Sequence, residues 1–302
     1  MPLTGLVAAT HTPFHADGKL NLAVVEKQAS HLLQNGVQAV FVAGSTGESH
    51  SLTVDERLAL AKRWSEVARG SALRVVIHVG SNCLADARVL AAQAQSLGVY
   101  AIAALSPSYF KPKTIETLVA CCQEVASAAP ALPFYFYDIP VMTNVNLSMP
   151  DFLDLAAERI PTLAGLKFTN PDLMAYQRCL RVQGGRFDAP WGLDEILLAA
   201  LAVGAVGAVG STYNFAAPIY HRVMAAFTKG DLPTARIEQY RSVQMIDVLI
   251  RYGFTAAAKA TMGLVGVNVG PSRLPNAPLT AEQVRSLRSD LERLGFFDWI
   301  RA

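Results

Sequence analysis

The chain has 302 residues, room for one large domain or two ordinary ones. Hydrophobic residues make up 52% and charged residues only 17%, against about 25% in a typical soluble protein, so a large core and a surface partly covered by another subunit are expected. The net charge of +2 comes from scattered basic residues, which excludes a nucleic-acid footprint, and no uninterrupted apolar run reaches the ~20 residues of a membrane span.

The opening "MPLTGLVAATHTPF" lacks the basic stretch and apolar run of a signal peptide. Strands are expected at 6–10, 39–44, 74–79, 99–105, 133–138, 162–168, 187–191 and 205–210, where short runs of apolar and β-branched residues occur. After each comes a stretch of helical period: 22–34, 54–68, 84–96, 114–128, 151–158, 172–182, 194–203 and 216–228. Thr53 and Glu56 have the spacing of a capping box. The nearest approach to a membrane span, Ile196 to Gly210, follows Asp194 and Glu195, and its glycines divide it into helix and strand. Eight alternations predict a parallel sheet closed as a (β/α)8 TIM barrel over residues 1–228. A doubly wound open sheet is the alternative, but no glycine-rich turn follows the first strand. Residues 229–302 are expected to form a C-terminal helical extension, with helices at 232–252, 255–266 and 280–295 and a linker at 270–278. Cys83, Cys121, Cys122 and Cys179 have no metal-ligand spacing and read as apolar residues of a reducing cytoplasm.

In such a barrel the active site lies at the C-terminal ends of the strands. There the sequence places "GSTGE" (44–48), Tyr137 with Asp138, Lys167, "GLDE" (192–195) and "GSTYN" (210–214). No His/Cys/Asp cluster accompanies them, so no metal is expected. Lys167 ends an apolar strand, where it either snorkels to solvent or serves as an amine. An amine held neutral by burial attacks a carbonyl and forms an imine that withdraws electrons from the adjacent carbon. The glycines and hydroxyls of "GSTGE" suit a nest for a carboxylate or phosphate, although an ordinary βα turn would look the same. Tyr137 stands in an aromatic-rich strand and can be structural, but opposite an imine-forming lysine it fits a proton shuttle.

Taken in order, "GSTGE", "YDIP" (137–140), "GLKFT" (165–169) and "GAVGSTYN" (207–214) resemble the dihydrodipicolinate synthase and N-acetylneuraminate lyase superfamily of class I aldolases. The resemblance covers nearly the whole chain. It implies a cytoplasmic homotetramer built as a dimer of dimers, with no cofactor. Lys167 matches the Schiff-base lysine and Tyr137 the proton shuttle, while Ser45 and Thr46 match the pair that binds the pyruvate carboxylate. Ser45 also belongs to the proton relay, and Tyr109 matches a tyrosine lent across the dimer interface. The synthases carry an arginine where this chain has Met142, which counts against synthase activity. The turns after strands seven and eight look like those of the sialic acid lyases, implying that Thr169, Gly192, Asp194, Glu195, Gly210 and Ser211 bind substrate. The implied reaction cleaves N-acetylneuraminate to N-acetylmannosamine and pyruvate. The alternatives are another aldolase or dehydratase acting on a 2-keto-3-deoxy sugar acid, or a non-catalytic sugar-acid sensor. Two residues depart from the family pattern: Asn144, where a glycine is usual and where Asn best tolerates positive φ, and His50, which reads as a partly buried loop histidine.

Overall fold

A computed structural model of the chain describes residues 2–301. Seven strands form one parallel sheet: β1 Gly5–Ala9, β2 Ala39–Val42, β3 Arg74–His78, β4 Ala101–Leu105, β5 Phe134–Asp138, β6 Leu163–Phe168 and β7 Gly207–Gly210. Their order is β6-β5-β4-β3-β2-β1-β7, so each strand lies beside its sequence neighbour except where β1 meets β7. Helices follow as α1 Val25–Gln34, α2 Val54–Ala68, α3 Leu84–Ser96, α4 Ile115–Ala126, the single turn α5 Pro140–Thr143, α6 Met149–Arg159, α7 Leu173–Cys179, α8 Leu197–Val203 and α9 Tyr213–Thr228. Then come α10 Leu232–Arg251, α11 Phe254–Leu264, α12 Ala281–Leu294 and the short α13 Phe296–Trp299.

The expected strand at 187–191 is not a regular strand, yet it closes the barrel. Leu166 N–H donates to Asp188 O at 2.9 Å and Phe168 N–H to Pro190 O at 3.0 Å, while Val209 N–H donates to Trp191 O at 2.7 Å on the other side. Isolated parallel bridges join Phe168 to Trp191 and Trp191 to Ala208. Pro190 has no N–H to give, so the ladder is interrupted where a continuous strand would run. The barrel is complete, with one seam held by fewer bonds.

Side chains sort into two cores by the alternation of the strands. Leu6, Ala8, Val40, Val42, Ile102 and Phe136 point outward into one large cluster with the helices. Val7, Phe41, Val76, Ala103, Tyr135 and Tyr137 point inward and fill the barrel. Thr53 caps α2 as its spacing predicted: its hydroxyl accepts from Glu56 N–H at 3.2 Å, and Glu56 accepts from Thr53 N–H at 3.0 Å. The helices after α9 fold back on the barrel, α10 against α8 and α9 and α11 against α9.

Candidate active site

Sheet register sets the centre of the site. Tyr137 on β5 and Lys167 on β6 are paired residues, so they stand at one level on neighbouring strands, close to their C-terminal ends. Lys167 is 4% exposed and does not snorkel. Its Nζ lies 4.0 Å from the centre of the Tyr137 ring and 4.4 Å from that of Phe41, held between two aromatic faces. Among the described residues, no carboxylate stands within ion-pair distance of it. The amine therefore lies among ring faces near the C-terminal ends of β5 and β6, with no carboxylate paired to it.

The other buried lysine differs. Lys259 on α11 donates to Glu48 Oε1 at 2.9 Å and to Thr12 O at 2.8 Å, and burial lowers its pKa to about 8. Depression by burial favours the neutral amine, but this Nζ is engaged behind the "GSTGE" turn. Of the two buried lysines among the described residues, only Lys167 lacks a carboxylate partner.

The turn after β2 brings two hydroxyls to the mouth. Ser45 Oγ lies 3.3 Å from the Tyr137 hydroxyl, and Thr46 Oγ1 lies 2.6 Å from Ser211 Oγ in the turn after β7. Turns more than 160 residues apart in sequence thus meet, joining the two strands that flank β1. His78, at the end of β3, stacks edge-on to Tyr137 with ring centroids 5.8 Å apart. Its Nδ1 lies 2.8 Å from Ala43 O, and its Nε2 lies 3.3 Å from Leu105 N, which makes Nε2 the acceptor and Nδ1 the protonated nitrogen. Burial keeps this imidazole's pKa well below its ordinary value.

At the opposite side, Trp191 donates from Nε1 to Leu193 O at 2.7 Å and fixes the start of the "GLDE" turn. Gln239 on α10 donates to Asp194 O at 3.1 Å and holds its far side. Asp194 is buried, and its Oδ2 accepts from Thr212 N–H at 2.9 Å and Thr212 Oγ1 at 2.6 Å. Its Oδ1 has no partner within the chain, and burial raises the carboxyl pKa to about 6. Glu195 beside it is half-buried. Both glycines here are sterically required. A β-carbon on Gly192 would stand 1.9 Å from Thr169 Oγ1, and one on Gly210 would stand 1.8 Å from Asp194 Oδ1. The Thr169 hydroxyl is buried and also lacks a partner.

The expected residues thus divide into groups. Lys167, Tyr137 and Ser45 come together; Thr46 and Ser211 join them; Thr169, Gly192, Asp194, Glu195 and Gly210 form the adjoining wall. Tyr109 stands apart, 77% exposed and edge-on to exposed Phe110, with no hydrogen bond to Tyr137 or Ser45 within the chain. The loop beneath it is nonetheless fixed, since Asn82 Oδ1 accepts from the N–H groups of Ser108 and Tyr109 at 2.8 and 3.0 Å. Asn144 adopts φ 56° and ψ 31° and ends α5, the left-handed turn expected of it. His50 is exposed, on a single 3₁₀ turn after the motif.

The Dihydrodipicolinate synthetase family matches residues 2–294 of the chain. The chain belongs to this family. It is 40% identical over 296 residues to the N-acetylneuraminate lyase of Gallus gallus, covering 97% of this chain and 96% of that one. Identity to the Homo sapiens N-acetylneuraminate lyase is 38% over 301 residues, covering 98% and 94%. Among solved structures, Proteus mirabilis N-acetylneuraminate lyase superposes with a TM-score of 0.95 at 41% identity, covering 98% of this chain and all of that one. The dihydrodipicolinate synthase of Cyanidioschyzon merolae, solved with lysine bound, gives a TM-score of 0.89 at 30% identity over 97% and 98%. Similarity within the family is thus higher toward these lyases than toward this synthase.

Among the described residues, no group of three or more His, Cys, Asp and Glu side chains could hold a metal ion, and no helix is long and apolar enough to cross a membrane. Sequence reasoning missed Phe41, His78 and the partners of Glu48. Phe41 and His78 look like ordinary strand residues; only the histidine in the apolar run "RVVIHV" hinted that a strand end needed a polar ring.

Proposed function

We propose that this chain is a class I lyase that cleaves N-acetylneuraminate to N-acetylmannosamine and pyruvate through a Schiff base on Lys167, with no organic cofactor. The observation that carries this reading is the buried, unpaired Lys167 amine lying against Tyr137 at the strand ends, with the Tyr137 hydroxyl neighbouring Ser45. The neutral amine adds to the C2 carbonyl of the open-chain sugar acid, and water leaves as an iminium forms, the proton this needs coming from the Tyr137 hydroxyl, which is left as a phenolate. Tyr137 takes the proton of the C4 hydroxyl, the C3–C4 bond breaks, and its electrons pass into the iminium as an enamine. The aldehyde N-acetylmannosamine leaves, C3 is protonated, and water releases pyruvate and the free lysine. Ser45 and Thr46 hold the carboxylate, and Ser45 connects Tyr137 to the relay.

Asp194, Glu195, Thr169 and Ser211 would hold the hydroxylated tail, with Gly192 and Gly210 leaving room for the Thr169 hydroxyl and the Asp194 carboxylate that form the wall. The unpartnered Oδ1 of Asp194 and hydroxyl of Thr169 support that assignment, because buried polar atoms without partners suit a polyhydroxylated ligand. Synthase activity is disfavoured by Met142, 68% exposed, which offers no cation to a second carboxylate. The exposed Tyr109 and Phe110 suit an interface in which Tyr109 completes a neighbour's relay, within a cytoplasmic homotetramer. Analytical ultracentrifugation and cell fractionation check the assembly and the compartment.

Borohydride reduction in the presence of pyruvate, followed by peptide mapping, tests the core of this reading. The adduct is expected on Lys167 and should vanish in Lys167→Arg, since a guanidinium stays protonated. An adduct on Lys259 or Lys111 would refute the assignment. Turnover of a panel of sialic acids and 2-keto-3-deoxy sugar acids decides the substrate, and preferential cleavage of an acid without the acetamido group would replace the lyase with a related aldolase.

A further inference from the structure

The barrel alone does not hold the turn that carries Ser45 and Thr46. Glu48, the last residue of "GSTGE", sits at φ 55° and ψ 39°, a left-handed conformation that a glutamate keeps only when its surroundings fix it. Its carboxylate is fully buried and engaged at both oxygens. Oε1 accepts from Lys259 Nζ at 2.9 Å, and Oε2 accepts from the backbone N–H of Arg273 at 2.8 Å. The same ammonium donates to Thr12 O at 2.8 Å, and the Thr12 hydroxyl donates to Gly47 O at 2.6 Å. One lysine therefore ties down residues 47 and 48 from two directions.

Arg273 extends the clamp. Its guanidinium donates to both oxygens of Glu56, in the first turn of α2, and to the carbonyls of Ser51 and Gly18. Lys259 and Arg273 both lie beyond α10, in α11 and in the segment before α12. Neither takes part in the proposed chemistry: Lys259 Nζ lies against the Phe14 face, 4.2 Å from its centre, and faces Glu48 and not Lys167.

We propose that Lys259 and Arg273 are positioning residues for the keto-acid carboxylate, fixing Glu48 so that the adjoining Ser45 and Thr46 present their hydroxyls and N–H groups at the barrel mouth. This rests on the assignment of Ser45 and Thr46 to the carboxylate. The physical reason is the fate of Glu48 without its partner. A buried carboxylate that loses an ion-pair partner must either take up a proton or reach water, and it reaches water only if the turn moves. A displacement of that turn misplaces the contacts of Ser45 with Tyr137 and of Thr46 with Ser211, and binding geometry of this kind tolerates little displacement. The effect falls on carboxylate affinity, while the amine of Lys167 keeps its own surroundings.

The test uses the full chain with Lys259→Met, which keeps the stem and removes the charge. The readout is the pyruvate concentration that gives half-maximal borohydride-trapped adduct on Lys167. That concentration is expected to rise about tenfold or more, in line with loss of hydrogen bonds to a charged group, while the adduct still forms at saturating pyruvate. A double variant, Lys259→Met with Glu48→Gln, removes the buried charge as well and should restore the melting temperature without restoring affinity. A purely structural role would restore both. Should the single variant fail to fold, the double variant and Glu48→Asp, whose shorter arm cannot reach both donors, give the same readout. Half-saturation within twofold of wild type in any folded variant overturns the proposal. No adduct on wild-type Lys167 would overturn the aldolase reading, and this inference with it. An adduct on wild type with unchanged affinity in the variants overturns the positioning role alone.

Discussion

Gly210→Ala tests whether the wall of the site is set by the carboxylate of Asp194. A β-carbon at Gly210 would stand 1.8 Å from Asp194 Oδ1, 2.5 Å from its Cγ and 2.7 Å from Oδ2, where contacts under 3.0 Å are essentially never seen. The carboxylate would have to retreat by about 1.2 Å to reach that limit. It cannot do so and keep its bonds from Thr212 N–H at 2.9 Å and Thr212 Oγ1 at 2.6 Å. Hydrogen bonds to a charged group contribute about 1.5–3 kcal/mol each, so losing two costs about 3–6 kcal/mol. Against a total stability of ~5–15 kcal/mol this would leave the fold marginal. Urea unfolding followed by circular dichroism measures the loss. Asp194→Ala removes the obstacle, so the double variant should recover ~2 kcal/mol or more relative to the sum of the singles. A Gly210→Ala protein that unfolds within about 1 kcal/mol of wild type, with no coupling to Asp194→Ala, would refute the reasoning.

Tyr137→Phe should lower kcat for N-acetylneuraminate by about 100-fold or more while shifting the half-saturation for pyruvate adduct formation far less, as expected of a proton-transfer group; equal losses would make Tyr137 a binding residue. Mixing Tyr109→Phe with Lys167→Ala subunits should return activity in hybrid assemblies, and inactive hybrids confirmed by mass spectrometry would remove Tyr109 from the neighbour's relay. His11 is buried, and burial, with the nearby charge of Lys259, lowers its pKa to about 3. Below pH 6.5 the unfolded chain protonates first, so this histidine should cost stability progressively as pH falls from about 6.5 to about 3, by up to about 1.4 kcal/mol per unit. His11→Leu should flatten that slope in urea titrations across the window, and an unchanged slope would show that other groups set it.

Strand and helix positions were legible because each strand is a short apolar run and each helix repeats on one face. The seam at 187–191 was not, because its irregularity comes from Pro190 meeting two neighbours whose register is a tertiary fact. The placement of Lys167, Tyr137, Ser45 and Thr46 together at strand ends was legible from motifs, and the conformation of Asn144 from its tolerance of positive φ. The left-handed Glu48 was hidden, since nothing in "GSTGE" shows which residue carries the strain. Lys259 was equally hidden, one lysine in "TAAAKATMGLVG", because its partner lies 211 residues away. Phe41 escaped notice for a similar reason: a phenylalanine in a barrel strand is ordinary until a lysine from another strand lies over it.

The clamp on Glu48 also orders events during synthesis. Every strand of the barrel has been synthesised once residue 210 is made, yet both donors to the Glu48 carboxylate come later, the second 225 residues downstream. Until residue 273 is made, one of the two donors to that carboxylate is missing from the chain. The strands that carry Lys167 and Tyr137 are therefore complete in the chain before the last supports of the turn after β2, which come with α11 and the residues after it.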